Sequence, residues 1–177
     1  SLLVSISFTL ITLISASMAA FAFAKIRFRG SDVILKLYLA MMMIPTQVTM
    51  IPLFIIMNRL GLIDSYASVI LPSIFKPFAV FMLVQQMKSI PNDYLDAARV
   101  DGAGIFHVYG RIALPLCAPT LATLAVTTFM ESWNDYLWPL LMLNDRNKMT
   151  LPIAIIIIYL CAHKQFKNGL MAGGIKG

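Results

Sequence analysis

The chain has 177 residues, of which 59% are hydrophobic and only 12% are charged; its net charge is +6 and its mean hydropathy is +0.81. Soluble domains are about half apolar and about a quarter charged, so this composition excludes an ordinary soluble protein. A membrane-spanning helix needs about 20 apolar residues, so the useful measure of length is the number of such runs. We predict an all-α, polytopic transmembrane helical bundle forming one domain, residues 1–177, because neither an internal repeat nor a linker divides the chain.

Four apolar runs are long enough to span a bilayer. In chain order they are Leu2 to Ala24, Val33 to Met57, Tyr66 to Met87, and Ile112 to about Leu143. Pro45 and Pro52 predict a kink in the second run that frees backbone carbonyls toward a polar path. A fifth run, Leu151 to Ala162, reaches only about 18 Å as a helix and is too short to cross about 30 Å of hydrocarbon.

Lysine and arginine are distributed unequally between the two sides of the predicted membrane. One side holds Lys25, Arg27, Arg29, Lys36, Lys88, Arg99, Arg111, Lys164, Lys167 and Lys176, and the other holds Arg59, Arg146 and Lys148. Because cytoplasmic loops are enriched in these residues, we predict that residues 88–111, here named the insert, and the tail 163–177 are cytoplasmic. The positive charge then faces anionic membrane lipid, and no nucleic-acid partner is expected because the sequence has no nucleic-acid motif.

The insert predicts two short helices joined by a turn. Residues suited to a helix start are clustered at Ser89, Pro91, Asn92 and Asp93. Asp101 and Gly102 predict the turn, and a second helix carries Phe106 and Tyr109 three residues apart before Ile112 enters the membrane. By their physical chemistry alone, these residues suit a connector resting on lipid headgroups as well as a docking site for a cytoplasmic partner.

One spacing in this region resembles a known motif. Asp96-Ala97-Ala98, then Gly102, then Ile112-x-Leu114-Pro115 is similar to the EAA motif of ABC-importer permease subunits, the loop that docks on the ATP-binding subunit. The stretches Glu131 to Leu141 and Asn168 to Gly177 resemble the carbohydrate-uptake branch, in particular the maltose-transporter G type of subunit. The resemblance assigns coupling to Asp96, Ala97, Ala98, Arg99, Asp101, Gly102, Ala103, Phe106, Ile112, Leu114 and Pro115.

The resemblance also implies a function, a location and partners. It implies a type I importer permease in the bacterial inner membrane with a cytoplasmic C-terminus. Its partners would be a second homologous permease subunit, two ATP-binding subunits and an extracytoplasmic sugar-binding protein. The sequence lacks a G-x-x-x-x-G-K-[ST] loop, so we expect no cofactor on this chain and ATP use by the partner. Metal ligands and a catalytic nucleophile are not expected either.

An ion-coupled secondary transporter is the alternative function. It would need ionisable residues inside the membrane, for which only Lys76, Glu131 and Asp135 qualify, and usually internal repeats, of which none is visible. Lys76 itself is open to three interpretations, since it could snorkel to the interface, pair across helices or touch substrate.

Polar and aromatic residues within or beside the spans are candidates for a substrate path, because polar groups are costly in lipid and tend to face a cavity. These candidates are Gln47, Thr49, Lys76, Glu131, Trp133, Asn134, Asp135, Tyr136 and Trp138. For the aromatic members, an interfacial belt is the simpler interpretation, and stacking on sugar rings is the functional one.

The sequence departs from the family pattern in three places. Asp96 stands where the motif has glutamate, which shortens the reach of an ion pair by one methylene group. The family has a further transmembrane helix before the position of Leu2, so we expect a truncated N-terminus. The family also carries more residues after Pro152, so we expect either a deletion, marked by a chain break, or an extended segment between Leu151 and Ile156.

Overall fold

The computed structural model describes residues 1–26, 28–156 and 158–159, the side chains of Arg99 and Arg146 excepted. Every regular element in these residues is helical, which confirms the all-α prediction. The α-helices are α1 (Leu2–Lys25), α2 (Ser31–Ala40), α3 (Thr46–Arg59), α4 (Tyr66–Ile70), α5 (Pro77–Ser89), α6 (Asn92–Val100), α7 (Ile105–Val108), α8 (Leu114–Leu116), α9 (Ala118–Asn134) and α10 (Leu137–Met142). Shorter 3₁₀ or π segments are Met41–Met43, Leu71–Ile74, Tyr109–Ala113 and Arg146–Lys148.

Two stretches of the described chain are helical, long and apolar enough to cross a membrane, Leu2–Lys25 and Tyr66–Ser89. Two more qualify if each sharply bent pair of helices counts as one span. Ser31–Met43 and Thr46–Arg59 meet at 105°, and Ile105–Leu116 meets Ala118–Asn134 at 76°. The first bend lies at Pro45, as predicted, because proline removes a backbone donor and disfavours a helical conformation at the preceding residue.

The predicted fourth span, Ile112 to about Leu143, is not one continuous helix. Helix α9 begins only at Ala118 and ends at Asn134, and α10 is a separate helix beyond an extended Asp135. Pro115 belongs to the short helix before the bend, and Pro119 to the first turn of α9. Both prolines lack a backbone N–H, so the helix ladder is interrupted twice within five residues, and hydrophobicity alone does not reveal that.

The core of the bundle lies where α1 packs against α5 and α9. Ala16 and Ala20 of α1 are fully buried in the same cluster as Leu83 and Met87 of α5 and Leu124 of α9. Small side chains on α1 allow this close approach, which matters because lipid supplies no hydrophobic driving force between helices. The three helices therefore form the rigid centre of the subunit.

The third span is broken in its middle. Its 3₁₀ segment, Leu71–Ile74, contains Pro72 and is followed by Pro77, which starts α5. The hydroxyls of Thr12 and Ser15 on α1 share their protons between two carbonyls each. One is in the broken segment, Ser73 (3.2 Å) and Ile74 (3.1 Å) respectively, and the other is in α1 itself, Phe8 (2.8 Å) and Thr12 (3.1 Å). Backbone groups within a membrane need internal partners, so α1 provides the donors that the interrupted helix lacks.

A polar contact closes the end of the bundle opposite the insert. Asp64 Oδ1 accepts the backbone N–H groups of Asn144 and Asp145, each at 3.0 Å, and Asp64 Oδ2 lies 3.0 Å from Lys148 Nζ. The Lys148 ammonium also donates to the Asp64 carbonyl at 2.7 Å. Lys148 and Lys25 thus lie at opposite ends of the bundle, as the charge distribution predicted.

Residues 151–156 form a continuous helix. The chain break or extended segment predicted between Leu151 and Ile156 is therefore wrong. Pro152 lies in the first turn of this helix, where proline is tolerated. The tail, residues 163–177, lies outside the described residues, and its cytoplasmic location stays a prediction.

Candidate functional site: the insert and the polar face of the bundle

The insert folds as two helices joined by a glycine turn, as predicted. Helix α6 starts at Asn92, directly after Pro91, and Gly102 follows its end with φ +80°. The backbone N–H of Ala103 donates to the carbonyl of Ala98 at 2.9 Å, closing the helix end. This left-handed conformation favours glycine because it has no Cβ, so Gly102 is required by the turn itself.

The two faces of the insert differ in character. Leu95 and Val108 are each only 2% exposed and belong to the main core, which fixes the insert to the bundle. Val100 (87% exposed) and Phe106 (78% exposed) point away from it, together with Tyr94. Large exposed apolar side chains on a segment that also carries charge suit an interaction surface.

Helix α1 holds the insert at two points. The Lys25 ammonium donates to the Ile90 carbonyl (2.7 Å) and to Asn92 Oδ1 (2.9 Å). The Tyr109 hydroxyl lies 2.7 Å from Ser17 Oγ. Sequence reasoning missed these contacts; a lysine in the last turn of α1 was a weak signal for the first, and no signal existed for the second.

The predicted coupling residues are brought together on this insert and just beyond it. Asp96, Ala97, Ala98 and Arg99 lie on α6, Asp101, Gly102 and Ala103 form the turn, Phe106 lies on α7, Ile112 lies in the π segment, and Leu114 and Pro115 lie on α8. Small residues around the turn line an open cavity of about 510 Å³, together with Asp101, His107 and Ile112. Phe106 and Tyr109, which were predicted on the same helix, point in different directions. Phe106 faces outward, and Tyr109 contacts α1.

A charged pair joins the start of α5 to α9 at the surface of the bundle. Lys76, directly before α5, forms an ion pair with Glu131 of α9, and its ammonium lies 5.3 Å from the centroid of the Phe8 ring. The Lys76 side chain is 22% exposed and that of Glu131 is 61% exposed, so the pair lies at the surface of the bundle. Of the three interpretations of Lys76, the structure favours pairing across helices.

The remaining path candidates are dispersed. Asp135 Oδ1 accepts the backbone N–H of Leu137 at 3.1 Å, and Trp138 Nε1 donates to the Ser68 carbonyl at 3.1 Å, so both stabilise the start of α10. Trp133 stacks on Phe129 at 5.7 Å between centroids. The other candidates, Gln47 and Thr49 on α3, Asn134 at the end of α9 and Tyr136 beyond it, are exposed.

The comparison with known families covers most of the chain. Residues 10–173 match the family described as binding-protein-dependent transport system inner membrane component. The chain belongs to this family. Membership confirms the resemblance seen in the sequence, and it shows a permease of an ABC importer and not a secondary transporter or an enzyme.

Individual relatives of this permease agree with the family. The arabinooligosaccharides transport system permease protein AraQ of Bacillus subtilis (strain 168) is 37% identical over 202 positions, covering 100% of this chain and 72% of AraQ. The probable starch degradation products transport system permease protein AmyC of Thermoanaerobacterium thermosulfurigenes is 35% identical over 179 positions, covering 98% of this chain and 63% of AmyC. The AraQ alignment is longer than this permease, so AraQ has residues with no counterpart here.

A solved structure supports the fold of the permease. The crystal structure of a bacterial ABC transporter involved in the import of the acidic polysaccharide alginate contains a chain that superposes with a TM-score of 0.75 at 24% identity. The superposition covers 96% of the permease and 62% of that chain. As a member of its family, the permease lies in a membrane, works with ATPase and substrate-binding components, and leaves ATP use to separate ATPase subunits.

Proposed function

We propose that this permease lines half of a translocation path for a carbohydrate and that its insert docks on an ATP-binding subunit at the cytoplasmic face. The observation that carries the proposal is the two-sided character of the insert. Leu95 and Val108 fix it to the core, while Val100 and Phe106 remain exposed on its outer side. A connector resting on lipid would not need a rigid attachment, whereas a coupling element needs both a docking face and a firm link to the spans.

The substrate class follows from relatives. AraQ is named for arabinooligosaccharides, AmyC for starch degradation products, and LacG of Rhizobium radiobacter, 33% identical over 147 positions, for lactose. These ligands are carbohydrates, whereas UgpE of Yersinia pestis bv. Antiqua (strain Antiqua), 35% identical over 133 positions, is named for sn-glycerol-3-phosphate. A mono- or oligosaccharide, the class that most of these names share, is the proposed substrate of this permease.

The proposed assembly contains a second homologous permease subunit, two ATP-binding subunits and an extracytoplasmic sugar-binding protein. The positive charge at the insert end supports its cytoplasmic orientation, because Lys25, Lys88 and Arg111 lie at or near that end. Helices α2 and α3 expose most of their apolar residues and bury only Leu35 and Met57. This surface suits contact with the second permease subunit and with membrane lipid.

The proposed mechanism is alternating access. Closure of the ATP-binding subunits displaces the insert, and the bonds at Lys25 and Tyr109 pass that displacement to α1. Helix α1 packs on α5 and α9, so the three helices tilt together and exchange outward and inward openings of the path. Among the path candidates, Lys76, Glu131 and Asn134 are the proposed contacts, because they lie on the surface formed by α5 and α9.

Reconstitution of the complete transporter in liposomes tests the proposal. Uptake of radiolabelled arabinotriose, maltotriose and lactose is measured with ATP inside and the binding protein outside, and again with a proton or sodium gradient and no ATP. We expect uptake of at least one sugar that requires both ATP and the binding protein. Uptake driven by an ion gradient alone would contradict the proposal.

A further inference from the structure

A second cavity, of about 620 Å³, opens where four helix ends meet at the insert end of the bundle. Helices α1 and α5 end there, and α2 and α6 begin there. This charged cavity is lined by two lysines and two aspartates, together with two aromatic rings; they are Lys25, Lys88, Asp32, Asp96, Phe23 and Phe28. Small-ligand sites occupy about 300–1,000 Å³, so its size suits a ligand. Its balanced charges suit a ligand that carries both signs.

Two of these charges have no partner. Asp32 lies in the first turn of α2 and Lys88 in the last turn of α5, and both are exposed. In the part of the chain that the structure describes, neither side chain forms an ion pair or a hydrogen bond, so the two do not pair with each other although they line one cavity. A ligand that bridges them needs an anionic group for the ammonium and a cationic donor for the carboxylate.

Lys25 adds a second ammonium to the charged cavity, and its position is fixed. It donates to the Ile90 carbonyl at 2.7 Å and to Asn92 Oδ1 at 2.9 Å. A lysine ammonium has three N–H donors, so one remains for a ligand. With Lys88, it suits an anion that accepts several hydrogen bonds, as a phosphate does. Asp32 suits a primary ammonium, which donates up to three.

The charged cavity lies at the level of lipid headgroups. Lys25 is the last residue of the apolar helix Leu2–Lys25, and Lys88 lies one residue before the end of Tyr66–Ser89. Lysines at the ends of spanning helices reach the membrane surface. Phospholipid headgroups are therefore the phosphate compounds that this cavity meets at the highest concentration.

Apolar surface continues from the cavity into the bilayer. Beyond its first turn, α2 exposes large apolar side chains, those of Val33 (60%), Ile34 (50%) and Leu37 (66%). On the other side, the rings of Phe23 and Phe28 lie 5.9 Å apart between centroids, and aromatic rings are enriched at membrane interfaces. A lipid with its headgroup in the cavity would lay its chains along α2, whereas a soluble ligand would leave this surface uncovered.

We propose that the charged cavity binds the headgroup of phosphatidylethanolamine, with the phosphate at Lys25 and Lys88 and the primary ammonium at Asp32. The inference goes beyond the proposed function and needs only that the cavity lies at a membrane surface. Pockets lined by cations alone are typical of sites for acidic lipids. Here an acidic lipid brings no cation to Asp32, and the quaternary ammonium of phosphatidylcholine has no N–H to donate.

Native mass spectrometry of the complete transporter tests this preference. The delipidated transporter is mixed with phosphatidylethanolamine, phosphatidylcholine or phosphatidylglycerol of identical acyl chains, and the bound lipid is counted. We expect the occupancy by phosphatidylethanolamine to exceed that by either other lipid at least about threefold. Equal occupancy by the three lipids would overturn the proposal.

Single substitutions separate the two ends of the headgroup. Asp32→Asn removes the charge that faces the ammonium, so we expect the preference for phosphatidylethanolamine over phosphatidylcholine to disappear. Lys88→Gln removes a partner of the phosphate and should lower the occupancy by both lipids about threefold. Asp93→Asn and Lys36→Gln are the matched controls, because both residues are exposed but do not line the cavity. A lipid preference that survives in Asp32→Asn contradicts the assignment.

Photo-crosslinking identifies the occupant in the assembled transporter. Phe28→p-benzoylphenylalanine is irradiated in liposomes of equal phosphatidylethanolamine and phosphatidylcholine, and we expect adducts enriched at least about threefold in the former. The same substitution at Leu37, outside the cavity, is the control and should show no enrichment. An equal concentration of soluble glycerophosphoethanolamine should leave the adducts unchanged, since it has no chains to contact α2.

Two outcomes would assign the cavity to another occupant. Loss of the lipid adduct with the soluble competitor would indicate a soluble phosphate compound, and an adduct with the ATP-binding subunit would indicate a protein interface. Either result overturns the proposal. None of these measurements involves sugar, so a failed lipid site leaves the proposed function intact, and absence of ATP-driven uptake leaves the lipid site intact.

Discussion

The phenol oxygen of Tyr109, in the π-helical part of the insert, lies 2.7 Å from the hydroxyl oxygen of Ser17 in α1. Either hydroxyl can donate in this pair, and a bond donated by Tyr109 leaves the Ser17 proton for the Ile14 carbonyl at 3.1 Å. The Tyr109 ring also meets Phe21 edge-on at 5.3 Å between centroids. A π segment is often found at functional sites, and here it turns this one side chain into the bundle.

Removal of this hydroxyl should uncouple ATP hydrolysis from transport. Tyr109→Phe keeps the ring contact with Phe21 but loses the bond to Ser17, so we expect about two- to tenfold less sugar carried per ATP hydrolysed. Ser17→Ala should give a similar loss, and the two changes together should cost no more than either alone. Tyr66→Phe, at the opposite end of the bundle, is the control. Additive losses in the double variant would show that the two residues act separately.

The turn at Gly102 should not tolerate proline. Its φ of +80° is far from the value of about −65° that proline requires, so Gly102→Pro should disrupt the end of α6. We expect this variant to reach the membrane but to lose sugar-stimulated ATPase activity. Gly110→Ala is the matched control, because a Cβ there meets nothing within 4 Å. Normal coupling in Gly102→Pro would count against docking through this surface.

Bulk at the cavity beside the turn gives a separate prediction. Ala98 lines this open cavity and also packs against the core, so a tryptophan there would fill the cavity and prevent close approach of another subunit. We expect Ala98→Trp to weaken co-purification of the ATP-binding subunit at least about tenfold while the permease still folds. Retention of the unsubstituted stoichiometry would place the docking surface elsewhere.

The contact between Asp64 and Lys148 should depend on pH at both extremes. Hydrogen bonds from the Asp145 backbone, and then from Lys148, lower the pKa of Asp64 below its usual 3.8. The stabilisation is therefore present above pH 3.8 and is lost as pH falls through the lower folded pKa. The hydrogen bond to Asp64 raises the pKa of Lys148 above 10.5, so its contribution is present below pH 10.5 and lost above the folded pKa.

Hydrogen exchange of the loop containing Asn144 and Asp145 measures this effect. We expect slow exchange at pH 7 in the unsubstituted protein and faster exchange, corrected for intrinsic rates, in Asp64→Asn. The variant should also lose the acid-dependent step. An acid transition that persists unchanged in Asp64→Asn would assign it to another group.

The ion pair between Lys76 and Glu131 should add to the stability of the subunit, beyond the separate contributions of the two side chains. Lys76→Met leaves an unpaired carboxylate beside apolar spans and should lower the thermal midpoint in detergent. Adding Glu131→Gln should recover part of that loss, since no charge then remains unpaired. A double variant as unstable as the simple sum of the two single changes would show that the pair contributes no coupling energy.

Local chemistry decided how much of this structure could be predicted. The start of α6 and the turn at Gly102 were readable because capping residues and glycine act within a few positions of themselves. The start of α9 could not be predicted from the sequence, because the hydrophobic character of the chain continues across Pro115 and Pro119. Contacts such as that of Lys76 with Glu131, 55 positions apart, depend on packing between helices that a single sequence does not specify.

Three hydroxyl groups within six residues of helix α1, those of Thr12, Ser15 and Ser17, make different contacts. Ser17 bonds to Tyr109 of the insert, while Thr12 and Ser15 donate to backbone carbonyls of the broken third span just before Lys76. An α-helix is stiff over so short a distance, about 8 Å. In the proposed mechanism, a displacement that begins at Tyr109 therefore passes along α1 to its bonds with Ser73 and Ile74. Helix α1 would thus link the proposed docking end of the subunit to the charged pair of Lys76 and Glu131.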